Sequence, residues 1–158
     1  MRVKKFFIFL TTLLLVTLAA SISVSADQHS GTWKMNAAKS TFSPGPAPKS
    51  TTVKVDADEN TVKVTADVTN ADGTGIHVEY TAKFDGKDYP VTGNPNADLV
   101  SVKRLEGGAI ESTSKKAGQV TITITSTVSK DGKSRTSVWK GKDAQGHEVN
   151  NVVVFDKQ

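Results

Sequence analysis

The chain has 158 residues, with 20 lysines and arginines, 16 acids, a formal charge of +4 and no cysteine. Without cysteine there is no thiol catalysis, no cysteine metal site and no disulfide, so packing alone must hold the fold. Three bases and no acid fall in the first 26 residues, leaving the rest near +1. Its Lys103-Arg104 and Lys115-Lys116 pairs are scattered rather than gathered into a basic stripe, so nucleic-acid binding is not supported.

The chain starts with Arg2, Lys4 and Lys5, continues with an apolar run from Phe6 to Ala20, and reaches Val24-Ser25-Ala26. This is the pattern of a secretory signal peptide over residues 1–26, cut after Ala26. The apolar run is about 15 residues, short of the roughly 20 that span a bilayer. Export to the periplasm or medium is expected, with no stable membrane insertion after cleavage. The domain would then be residues 31–158, preceded by a polar lead at 27–30.

Gly31 to Lys34 starts the fold, and residues 35–48 hold three prolines and no useful helical stripe. Ser43-Pro44-Gly45-Pro46 reads as a rigid irregular loop, because proline lacks the donor that a sheet or helix needs. From Ser50 on, runs of alternating polarity are separated by turn residues. Thr51, Val53 and Val55 share a face, as do Val62, Val64, Ala66 and Val68. The clearest run is 75–84, with Ile76, Val78, Tyr80, Ala82 and Phe84 on one parity and His77, Glu79, Thr81 and Lys83 on the other. That is a strand with one wet and one buried face. Further strands are read at 88–92, 100–102, 110–115, 120–128, 135–141 and 147–156.

Asp-Gly pairs at 72–73, 85–86 and 131–132 mark hairpins, since glycine takes positive φ without steric cost. No segment is long enough for the crossover helix that parallel strands need. The fold class is therefore all-β, an antiparallel up-and-down meander of about ten strands. It forms a closed or a flattened β-barrel; periodicity leaves both open. Valines dominate the inward set, and a barrel of about ten strands is wider than the kind that side chains just fill. Either a cavity remains or the barrel flattens.

The Gly31-Thr32-Trp33 start, the long meander and the Phe155-Asp156-Lys157 end resemble the calycin superfamily of lipocalins and fatty-acid-binding proteins. The GTWK start and the DGKDYPVTG segment are also similar to small secreted bacterial proteins of unassigned function. The resemblance implies a barrel with a small apolar ligand, and a Trp packed over one end against a basic residue from the last strands. The final strand, NNVVVFDK, departs by offering no arginine, and nothing in 35–48 corresponds to a helical lid.

On this reading a small apolar or amphipathic ligand would meet Trp33, Val78, Tyr80, Phe84, Tyr89, Val102, Ile122, Ile124 and Trp139. By the same analogy, Arg104, on the parity of Val100 and Val102, would anchor a carboxylate. If Asp27 is the mature N-terminus, its amine, the amides of Gln28 and His29 and the His29 imidazole could wrap Cu(II) or Ni(II) in a square plane. That site needs a flexible lead, and no other cofactor is expected. His77 and Glu79 share an outward face but have no nucleophile or third ligand beside them, and His147 reads as surface. Thr121, Thr123, Thr125 and Thr127 form an outward ladder. No phosphate loop, Gly-x-Ser-x-Gly elbow or metalloprotease helix occurs, so an enzyme has no positive support. The leading expectation is an exported monomeric barrel that binds a ligand. The alternative is a non-enzymatic envelope or extracellular interaction module with a filled core.

Overall fold

The computed structural model describes residues 27–158, so the signal-peptide reading lies outside the described residues. Ten strands follow one another: β1 (Gly31–Met35), β2 (Ser50–Ala57), β3 (Thr61–Thr69), β4 (Gly75–Lys83) and β5 (Asp85–Thr92). They continue with β6 (Leu99–Arg104), β7 (Ile110–Lys116), β8 (Gln119–Val128), β9 (Ser134–Lys142) and β10 (Glu148–Lys157). Each pairs antiparallel with its neighbour in sequence, and β1 closes the sheet by pairing with β10 as well as β2. The barrel is closed, as one of the two expectations had it. Among the described residues, no helix is long and apolar enough to cross a membrane.

Closure buries the inward parity of all ten strands and removes the sheet edges. The pairing is uneven. β9 and β10 share nine register positions, from Glu148↔Lys142 to Asp156↔Ser134, whereas β4 and β5 share only Glu79↔Thr92 and Tyr80↔Val91. That thin seam sits where the chain reverses at Phe84.

The two ends differ. The lower end carries the lead and the turns after β2, β4, β6 and β8. Here Trp33, Val55, Val62, Ala82, Val102 and Phe155 are at most 3 % exposed and pack as a solid core. The upper end carries the turns after β3, β5, β7 and β9 and the Pro-rich run. Thr41 continues the β1 path by bridging Val152, with Ser43 O accepting from Asn150 N at 2.7 Å. The prolines cannot extend that ladder, so the chain leaves it and crosses to β2 at the rim.

Candidate ligand-binding lumen

The upper half of the barrel is hollow. An outer chamber of about 570 Å³ opens at the rim, bounded by Phe42, Pro44, Pro46 and Pro48 on one side and Asn70–Asp72 and Asn94–Asn96 on others. An inner chamber of about 140 Å³ lies below it. Thr51, Val68, Val78, Asn94, Trp139 and Phe155 line both, so the two form one continuous lumen. Its volume suits a small organic molecule.

Valines, prolines and aromatics make up much of the wall, with Asn70, Asp72, Asn94, Asn96 and Asn151 at the rim and Thr51 between the chambers. Strand alternation on β9 sends Arg135, Ser137 and Trp139 inward, and on β7 Ser112 and Ser114, all of which line the inner chamber. Arg135 Nη2 donates to Ser126 Oγ at 3.0 Å, and Ser126 Oγ lies 2.8 Å from Ser137 Oγ. Tyr80 reaches the same floor from β4, with the Ser112 hydroxyl beside its phenol. Burial pushes the Tyr80 phenol above its ordinary value, so it stays neutral. Burial likewise pulls Arg135 below its ordinary value. No carboxylate of the described residues pairs with Arg135, and residues 1–26 contain no acid. The floor thus carries a partly buried guanidinium without a counter-ion. Arg135 Nε and Trp139 Nε1 are also buried without a hydrogen-bond partner.

Four of the predicted ligand residues lie on this lumen: Val78, Tyr80, Ile124 and Trp139. The others are displaced for stated reasons. Trp33, Val102 and Ile122 are packed into the core, at 0 %, 1 % and 6 % exposed. The Trp33 indole donates to His29 O at 2.8 Å, and Lys157 Nζ stands 5.0 Å from its ring centroid. The final strand has no arginine, and the base that stands over the Trp33 ring is Lys157. Phe84 sits at the lower turn beneath the Arg104 guanidinium, 4.0 Å from its ring centroid. The Tyr89 hydroxyl donates outward to Asp85 Oδ2 at 3.0 Å.

Arg104 is a correction of another kind. It faces the lower end, where Nη2 bonds Asp27 Oδ2 at 2.5 Å and Asp58 O at 2.7 Å. Its charge is engaged at the barrel bottom, away from the lumen, whereas Arg135 is the arginine that lines the inner chamber. Arg135 lies outside the residues expected from the sequence, although it shares the parity of Trp139 and the alternation along β9 carries the signal that turns it inward.

The lead that a metal site would need free is packed against the bottom of the barrel. His29 is 0 % exposed, its amide donates to Asp27 Oδ1 at 2.8 Å and its Nε2 lies 2.8 Å from Gly108 O. Gln28 Nε2 donates to the same carbonyl at 3.2 Å, and Ser30 exchanges hydrogen bonds with Ala57. Asp27, Gln28 and His29 form a plug under the core. Wrapping an ion would pull His29 out of it.

The outward histidines form separate pairs. His77 Nδ1 lies 2.6 Å from Asp67 Oδ1, while Glu79 pairs with Lys63 at 2.7 Å, so His77 and Glu79 are drawn apart. His147 is exposed and pairs with Asp143. The β8 threonines face outward, and Thr121 is covered by the 94–96 loop through a bond to Asn96 O at 2.9 Å. No known protein family, curated protein or solved structure matches the chain.

Proposed function

We propose that this protein is an exported carrier that binds a small amphipathic molecule in the upper half of its barrel, anionic head down on Arg135 and apolar body toward the Pro-rich rim. The observation that carries the reading is the unpaired guanidinium at the floor of an apolar lumen. A buried charge without a partner is costly, and an incoming oxyanion would supply both counter-charge and acceptors for the free N–H groups. The hollow upper half supports binding over the alternative of a filled interaction module. The calycin resemblance implies the same class of cargo.

Titration calorimetry with laurate, and native mass spectrometry of the exported form for co-purified material, test this. Arg135→Gln keeps much of the shape and removes the charge; it is expected to weaken laurate binding by about ten- to a hundredfold. Lauryl alcohol should bind wild type and variant alike. Failure of laurate to bind, or equal affinity in Arg135→Gln, defeats the reading.

A further inference from the structure

We propose that the head of the cargo is a tetrahedral, singly charged oxyanion (a sulfonate, sulfate ester or phosphodiester) and that a wall of serines beside Arg135 selects it. The inference rests on the binding reading above and narrows the ligand class by its head group.

The hydroxyls of the inner chamber gather on one side. β7, β8 and β9 are neighbours in the barrel, and alternation turns Ser112 and Ser114 of β7 and Ser137 of β9 to the chamber. Ser126 of β8 stands between them, opposite Ser137 in register. The Arg135 guanidinium joins this wall through Nη2, which donates to Ser126 Oγ at 3.0 Å. Other polar groups of the chamber lie elsewhere or are engaged. Arg135 Nε and Trp139 Nε1 are closed off, Asn94 Oδ1 accepts from Asn96 N at 2.8 Å, and Thr51 opens from β2 on the far side of the ring of strands.

The wall has donors to spare. A hydroxyl carries one hydrogen, so when two hydroxyls bond each other one hydrogen is left over. That holds for Ser126 with Ser137, and for Ser112 beside the Tyr80 phenol. The Ser114 hydroxyl and Arg135 Nη1 have no hydrogen-bond partner among the described residues, and neither is closed off. A carboxylate is planar, and a guanidinium takes up both of its oxygens edge to edge. A sulfonate seated in the same way keeps a third oxygen out of that plane, where the serines can donate to it. A site built with such donors discriminates against a head that cannot use them.

Charge sets the second limit. Among the described residues, Arg135 is the only base that lines the lumen, and Asp72, at the rim, is the only acid. Burial favours the neutral forms of Tyr80 and of His29 in the plug below. One guanidinium balances one negative charge, and a second would be desolvated without a partner.

The probes are laurate, undecanesulfonate and undecyl phosphate, which share one tail length, each below its micelle concentration. At pH 7.5 the sulfonate is expected to bind about tenfold tighter than laurate by calorimetry. Ser114→Ala should remove part of that preference. Ser112→Ala combined with Ser114→Ala should cut it to about twofold while laurate affinity holds within about threefold, which also shows the variant folded. Undecyl phosphate should approach the sulfonate near pH 5.5 and fall behind it as the second phosphate ionisation, at about pH 6, completes. The sulfonate carries one charge throughout, so it controls for titration of the protein. A sulfonate no tighter than laurate, a preference that survives in the double variant, or a phosphate that matches the sulfonate at pH 8 overturns the inference. Laurate that fails to bind the wild-type protein defeats the binding reading itself.

Discussion

At the scale of single residues, two buried cations-in-waiting set opposite ends of the barrel. Arg135 keeps its charge in the lumen, while His29 is held neutral in the plug. Burial lowers the His29 pKa from its ordinary 6.5; the bond to Gly108 opposes this, Arg135 and Arg104 reinforce it and Asp27 opposes it. The unfolded chain therefore takes up a proton near pH 6.5 that the folded chain resists. Stability is fully present above that pH and is lost as pH falls below it toward the depressed folded value. Urea midpoints between pH 7.5 and 5 are expected to fall in the wild type and to flatten in His29→Asn. A wild-type midpoint that holds steady across the window would show that His29 does not link proton uptake to the plug. The lowered carboxyl groups, such as Asp58 under its bonds from Asn60 and Thr61, give up their contribution only in stronger acid, as pH falls below their ordinary values.

At the scale of elements, β9 joins the two halves of the molecule. Its inner face carries Arg135, Ser137 and Trp139 to the lumen, and its upper end is held close to β8 by Gly141. That residue sits at φ +138°, and a Cβ there would lie 2.0 Å from Thr121 O. Such a contact with backbone cannot be relieved by rotating a side chain, so the β8–β9 ladder would have to open. Gly141→Ala is expected to destabilise by about 1–3 kcal/mol, read as a lower urea midpoint, and to loosen the wall beside Trp139. An unchanged midpoint would mean that the ladder yields there at no cost. The Pro-rich crossing works by refusal: residues without donors cannot extend the β1–β10 ladder, so they bound the mouth instead.

At the scale of the whole molecule, the proposed binding sets stability and ligand affinity against each other through one side chain. Arg135→Met replaces an unpaired buried charge with an apolar group of similar length, so the ligand-free barrel is expected to gain about 1 kcal/mol or more. Laurate at a hundred times its Kd should stabilise the wild type by about 2.7 kcal/mol and leave Arg135→Met nearly unmoved, as thermal unfolding would show. A ligand-free variant less stable than wild type would mean that Arg135 serves the fold rather than the cargo. Much of this architecture was legible in the residues. Period-two alternation and turn chemistry are local properties, so they placed the strands, the hairpins, the inward parity of Val78 and Tyr80 and the outward parity of His77. The lower plug was not legible, because it joins Asp27 to Arg104 and His29 to Gly108, positions 77 and 79 residues apart. Those pairings turned Arg104 from a ligand anchor into a structural clamp and a flexible lead into a buried one. The sequence by itself determined that an all-β meander forms, since each strand needs only its own pattern and its neighbour's turn. Closure, the filling of one end and the isolation of Arg135 at the floor of the other were decided by the tertiary structure alone, because each depends on which distant side chains share the interior.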